Sequence, residues 1–372
     1  MIPAFARTVW AVFLLAACAK SVEAQRWQIQ YFYDRDKSRL EIVDLQFPSA
    51  LRGVAVGVIV EGKRQERPTS VLTSDGGAHW QMLPLKETPV SLFFLNESVG
   101  WLVTAKGLWQ TVEMGKTWTK LPKPPGEIYR VYFTDDKNGW AVGPKKTVLG
   151  THDGGQKWAP VAVATQQPGD VHYSAYTCIA FATPQAGVIT GWNIPPRNAF
   201  YERPDWVDPQ AALHRREAPH LSYTLSTRDA GKTWVQNSVS LFGTVTRVRM
   251  RGNGSGLGLI EYGPGFRYPS EAYLLDWSSG KSRSLYHDAK FAVSDVWLTA
   301  DGTAYLAGNV PQGQLAGVIP GKVQVLVSKD LAKWDPIEVD YRAEALQTFL
   351  AAPDNENIWL ATNTGMILKL KK

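Results

Sequence analysis

The chain has 372 residues, 44% hydrophobic and 20% charged, with 15 Trp and 32 Gly. That balance excludes a disordered chain and suffices for one large repeat domain or two ordinary ones. The formal net charge of +6 is spread over dispersed Lys and Arg with no basic run, which excludes a nucleic-acid partner.

Met1 to Gln25 reads as an export signal. Arg7 supplies the positive start, and Thr8 to Ala19 is an apolar run shorter than the roughly 20 residues of a membrane-spanning helix. Two processing sites compete. Val22-Glu23-Ala24 before Gln25 is a small-residue cleavage site, whereas Leu15-Ala16-Ala17-Cys18 resembles a lipobox in which Cys18 carries lipid. The expected layout is a signal over residues 1–24 and a mature domain over 25–372. Export to the periplasm or outer envelope follows, with membrane attachment only through a lipid at Cys18. The other cysteine, Cys178, lies in the strand-like run Thr177-Cys178-Ile179-Ala180-Phe181 and reads as a buried, inert thiol.

Two sequence elements then alternate along the chain. The first is a large apolar residue followed six positions later by Gly. It occurs at Phe47, Phe94, Phe133, Phe181 and Met250, and more weakly at Leu298, where Ala304 replaces the Gly. Leu350, leading to Ile358-Trp359 through a longer turn, makes a seventh. The second element is an acid with Trp five residues on: Asp75 to Trp80, Glu113 to Trp118, Asp153 to Trp158 and Asp229 to Trp234. Asp330 to Trp334 is a copy one residue shorter. Thr73, Thr111, Thr151 and Thr227 each stand two residues before the acid.

Each unit therefore reads as four strands, a to d. Strand a ends at the apolar anchor, b follows the Gly, c ends at the Thr, and the Trp opens d. Units of about forty residues with four strands imply an all-β, seven-bladed β-propeller of antiparallel blades. The last unit runs out at Leu370 after three strands. Arg26-Trp27-Gln28-Ile29-Gln30-Tyr31-Phe32 supplies the missing strand d, so the N-terminal strand closes the ring and removes two exposed sheet edges.

The acid-to-Trp element is a turn device. Its carboxylate accepts backbone amides, its Gly positions permit positive φ, and its Trp packs between sheets. Asp75, Glu113, Asp153, Asp229 and Asp330 are accordingly structural. Together with Gly-Trp-Ala-Val-Gly upstream, clearest over residues 133 to 158, the pattern resembles the Asp-box or BNR propellers found in sialidases, sortilin-like receptors and secreted glycosidases. It is most similar to the photosystem II assembly and stability factor family. That resemblance implies an assembly or stability factor acting on an envelope complex.

The alternative is a secreted glycan-acting enzyme, a glycosidase or sialidase-like protein. Sialidases carry an early Arg-Ile-Pro element, which is absent; Asn193-Ile194-Pro195 lacks the Arg and falls mid-chain. No nucleophile elbow, phosphate loop or close His pair occurs, so no catalytic residue, cofactor or metal is assigned. A pair of carboxylates in the central cleft stays open as a glycosidase reading.

Loop length points to binding instead. The b–c connections Glu61 to Pro68, Asn193 to His220, Glu261 to Pro269 and Asn309 to Gly321 are long, and all fall on one face. The insertion at 193–220 carries Arg197, Tyr201, Arg203, Trp206, Arg215 and Arg216, and the blade 5 loop adds Arg267. Trp, Tyr and Arg are the side chains that dominate protein interfaces. The expected partner is a protein or peptide bound by a monomer, with a glycan as the open alternative.

Overall fold

The first repeat folds into strands Ser38–Gln46, Gly53–Glu61, Gln65–Thr73 and Gln81–Pro84, each antiparallel to the next. The computed structural model describes residues 25–62, 65–196, 219–252, 254–263, 266–277, 279–311 and 321–372. Five four-stranded sheets of this kind stand apart, and a nine-stranded sheet holds two more meanders. Within it, the blade 6 outer strand Asp335–Val339 meets the N-terminal strand Arg26–Phe32 in parallel at two residue pairs. The result is consistent with the seven anchors of the sequence. The helical segments among the described residues are two 3-10 turns, Ala162–Gln166 and Val171–Tyr173.

The N-terminal strand pairs antiparallel with the last strand, Met366–Lys371, from Arg26 opposite Lys371 to Phe32 opposite Met366. Trp27 faces Leu370, and Leu370 in turn donates its amide to Ile358. An Asp-box Trp stands in that same place, opposite the residue that faces the start of strand b. The first strand thus enters in the register of a strand d.

The two sequence elements meet at the anchor. Trp101 of blade 2 stacks on Phe133 of blade 3 with centroids 3.7 Å apart and planes 6° off parallel. Trp140 stacks on Phe181 of blade 4 at 4.6 Å, and Trp359 of blade 7 on Phe47 of blade 1 at 3.8 Å. The last contact closes the ring with the same interface used inside it. Each Phe anchor also meets its own blade's box Trp edge-on, as Phe47 with Trp80 at 80° and Phe133 with Trp158 at 73°. Such pairs add about 0.5–1.5 kcal/mol each beyond their buried area. The Gly six residues after the anchor is explained here: a Cβ on Gly139 would sit 2.5 Å from the Phe133 ring.

Two expectations need correction. In blade 1 the b–c connection is not a loop from Glu61 to Pro68: the strands run on, pairing Glu61 with Gln65, because the consecutive β-branched residues Val58, Ile59 and Val60 favour continued strand. In blade 7 the register pairs Ala351 with Trp359 and Leu350 with Leu360. The anchor position is therefore Ala352, six residues before Ile358, and the turn has the usual length. A small side chain at the anchor hid the ordinary spacing.

Candidate functional site: the face of the b–c and d–a connections

A meander blade delivers its a–b and c–d turns to one face and its b–c and d–a connections to the other. On the first face the polar groups are consumed locally. In blade 1 the Gly77 amide donates to Thr73 Oγ1 at 2.9 Å, Thr73 Oγ1 donates to Asp75 Oδ1 at 3.0 Å, and the His79 amide donates to Asp75 Oδ1 at 2.9 Å. The His79 amide, followed by the His79 side chain, holds the Asp75 carboxyl down to about 2. Blades 3 and 4 repeat the pattern. Asp153 accepts from Thr151 and the Lys157 amide at 2.9 and 2.8 Å; Asp229 accepts from Thr227 and the Thr233 amide at 2.8 and 2.9 Å.

Glu113 takes the Thr117 hydroxyl at 2.6 Å, and Asp330 takes the amides of Ala332 and Lys333. The indoles of Trp80 and Trp158 donate to Gly77 and Gly155. Trp118, Trp234 and Trp334 pack edge-on against Phe94, Phe181 and Tyr286. Every acid of the boxes is thus engaged in its own turn.

The opposite face is irregular. Between blades 3 and 4 the d–a connection, residues 161–173, carries both 3-10 turns. It is pinned from below by the buried amino group of Lys146, which donates to the Gln167 and Gly169 carbonyls at 2.6 and 2.7 Å. Asn193 adds donors to the Asp170 carbonyl at 2.8 Å and to Ser174 Oγ at 2.9 Å, and the Tyr223 hydroxyl donates to the Pro168 carbonyl. Burial lowers the Lys146 pKa, with Asp170 opposing. A buried ammonium held by carbonyls fixes this connection in one position.

In blade 5 the b–c connection forms an aromatic ledge. Tyr262 and Phe266 stack at 3.9 Å, 3° off parallel, and Tyr268 meets Phe266 edge-on. Beneath them the buried Glu271 accepts from Tyr262, Tyr268 and Ser284 at 2.8, 3.1 and 2.6 Å. Arg267 is exposed, its guanidinium 5.6 Å from the Tyr268 ring centre. At the seam of blades 6 and 7, Tyr341 is 79% and Phe32 is 49% exposed. They border an open groove with Ile29, Arg342 and Met366. Arg342 pairs with Asp340 through Nε at 2.9 Å and a terminal nitrogen at 2.8 Å, which draws the Asp340 carboxyl down to about 2.

Of the residues named for binding, Arg267 is placed on this face. Arg197, Tyr201, Arg203, Trp206, Arg215 and Arg216 lie outside the described residues, as does Cys18. Sequence reading missed the 161–173 connection and the Phe32–Tyr341 patch. The first had a signal: Trp158 and Phe181 stand eight residues further apart than Trp118 and Phe133. The second had none, because Phe32 reads as one more residue of a closing strand. Cys178 is buried and free. Among the described residues no group of three or more His, Cys, Asp or Glu is placed to hold a metal.

A family model described as photosynthesis system II assembly factor YCF48 matches residues 123–192, the region where the repeat is clearest. Over 57 residues the chain is 40% identical to the chloroplastic photosystem II stability/assembly factor HCF136 of Guillardia theta. That match spans 14% of this chain and 14% of the relative. Among solved structures, YCF48 bound to D1 peptide superposes with a TM-score of 0.57 at 15% identity, covering 93% of this chain and all of the other. YCF48 from Cyanidioschyzon merolae gives 0.56 at 15% identity, over 92% of this chain and 98% of the other. The propeller domain of the trilobed protease from Pyrococcus furiosus gives 0.53 at 10% identity, over 89% and 95%. At those identities the superpositions speak for the fold. The chain is an Asp-box β-propeller similar in fold to YCF48, and the model of that family matches it over residues 123–192.

Proposed function

We propose that this protein is a non-catalytic scaffold that holds a protein or peptide partner on the face of its b–c and d–a connections, as an assembly or stability factor of the cell envelope. One observation carries the reading: exposed Tyr341, Phe32 and Arg267 lie on that face, while the acids of the other face are spent on their own turns. Aromatic rings give large contact area at low entropic cost, and a guanidinium grips carboxylates with two parallel hydrogen bonds. A structurally similar protein, YCF48, is known bound to D1 peptide, which supports a peptide as the class of ligand.

The export reading completes the proposal. The first described strand starts at Arg26 on the Asp-box side. A lipid at Cys18 would tether that side within about 29 Å of a membrane, from an extended reach of 3.3–3.6 Å per residue. The b–c face would then point away from the bilayer, open to a partner. Affinity capture from the native envelope tests the reading, with the intact protein and its Tyr341→Ala/Arg267→Ala variant as paired baits. A polypeptide retained by the first and lost by the second is expected. Turnover of an oligosaccharide panel, or equal capture by both baits, would overturn it.

A further inference from the structure

We propose that the central channel binds one small anion, a halide or a carboxylate no larger than acetate, between Arg130, Arg247 and Arg249. This goes beyond partner capture on the outer face and does not depend on it. Five charged side chains from the inner strands of four blades converge on a cavity of about 60 Å³ that is also lined by Cys178: Asp44 of blade 1, Arg130 of blade 3, Arg247 and Arg249 of blade 5, and Asp295 of blade 6. That space holds about two water-sized groups.

The two carboxylates do not satisfy the three guanidiniums, because backbone amides take their best lone pairs. Asp44 accepts from Leu45 at 2.9 Å and from Leu92 of the next blade at 2.8 Å. Asp295 accepts from Val296 at 2.9 Å and from Leu350 of the next blade at 2.8 Å. Both aspartates thus tie one inner strand to its neighbour. What remains for the arginines is long: 3.7 Å from Arg130 to Asp44, and 3.4 Å from each of Arg247 and Arg249 to Asp295.

Each guanidinium carries five N–H donors. Arg247 places one well, on the Thr246 carbonyl at 2.9 Å. Arg249 lies over the Trp297 ring at 4.6 Å, and its buried Nε has no partner. The cavity lining itself carries three positive charges against two negative. Glu261, outside the cavity lining, takes the Thr246 hydroxyl at 2.8 Å; burial raises its pKa, opposed first by that hydrogen bond and then by Arg247. An excess of donors and positive charge lining a narrow cavity is relieved by an anion that accepts from several of them at once.

The test uses the intact protein. Unfolding midpoints are compared in chloride, bromide and gluconate at equal ionic strength, and crystals soaked in bromide are examined for anomalous scattering in the channel. A saturable rise of the midpoint in halide is expected for the native protein and for Arg267→Ala, since a ligand bound only by the folded state stabilises it in proportion to occupancy. A bromide peak among the three arginines is expected with it. Arg249→Gln should lose the halide response, as should Arg130→Gln, both at partly exposed side chains. Equal midpoints in halide and gluconate, an empty channel in bromide, or an unchanged response in Arg249→Gln would each overturn the proposal. If neither variant folds, the bromide peak and the native titration decide. Acetate that erases the peak identifies the group as any small carboxylate or halide; acetate that leaves it restricts the site to halides.

Discussion

The two faces of this ring come from the same repeats and obey different rules. On the Asp-box face, Thr73, Asp75 and Gly77 recur as Thr151, Asp153 and Gly155 with hydrogen bonds matching within about 0.1 Å. On the other face the described connections differ: a long hairpin in blade 1, a pinned pair of 3-10 turns between blades 3 and 4, an aromatic ledge in blade 5. The first face is held to one pattern because each box serves its own fold, with turn, Trp and anchor ring fitting together. The second varies because its connections share no turn motif, and variety of loop length and chemistry is what lets a surface acquire a partner.

Changes to the packing side should cost most. Removing Arg26 to Phe32 takes away the outer strand of blade 7 and the buried Trp27, exposing an unpaired edge at Met366–Lys371. The expected outcome is loss of cooperative unfolding and of near-ultraviolet circular dichroism, with aggregation on gel filtration. Trp101→Ala removes a fully buried ring that stacks on Phe133 and donates to the Gly154 carbonyl. It should cost about 3–5 kcal/mol in denaturant unfolding. A cost under about 1 kcal/mol would mean that anchor stacking does not hold the ring.

The boxes also give the protein an acid signature. Asp75 and Asp229 are held at about 2, against an ordinary value of 3.8; Asp153 and Asp330 are lowered as well. A depressed folded-state pKa contributes stability that is full above about pH 4 and is lost as pH falls toward 2. Asp75→Asn with Asp229→Asn should therefore flatten the fall in unfolding midpoint between pH 4 and 2 and leave partner capture unchanged. A smaller effect sharpens the backbone argument. The second box residue is left-handed whether it is Gly76 (φ 69°) or Ala230 (φ 60°), so Ala230→Gly should stabilise by about 1 kcal/mol. On the variable face, Tyr341→Ala and Arg267→Ala should move the unfolding free energy by no more than about 0.5 kcal/mol.

The fold was legible because its signals are local and repeated. Anchor and Gly, acid and Trp, and the unmatched strand at Arg26–Phe32 each fix a register with short-range chemistry. Blade 7 misled only because Ala352 is too small to be read as an anchor. The face was legible by loop length alone, and its chemistry was not. The exposure of Tyr341 depends on how blades 6 and 7 meet, and the pinning of 161–173 on Lys146 from a turn of blade 3 and Asn193 and Tyr223 from two strands of blade 4. The channel cluster was hidden for the same reason: Asp44 and Asp295 are 251 positions apart in sequence and share a cavity only once the ring closes.

Hydrogen–deuterium exchange on the purified complex tests the assignment of faces most directly. With the captured partner bound, protection should rise over residues 161–173, 262–270 and 340–347. The Asp-box turns at 73–80, 151–158 and 227–234 should exchange as they do in the free protein. Protection confined to the box turns, with the b–c and d–a connections unchanged, would contradict the account.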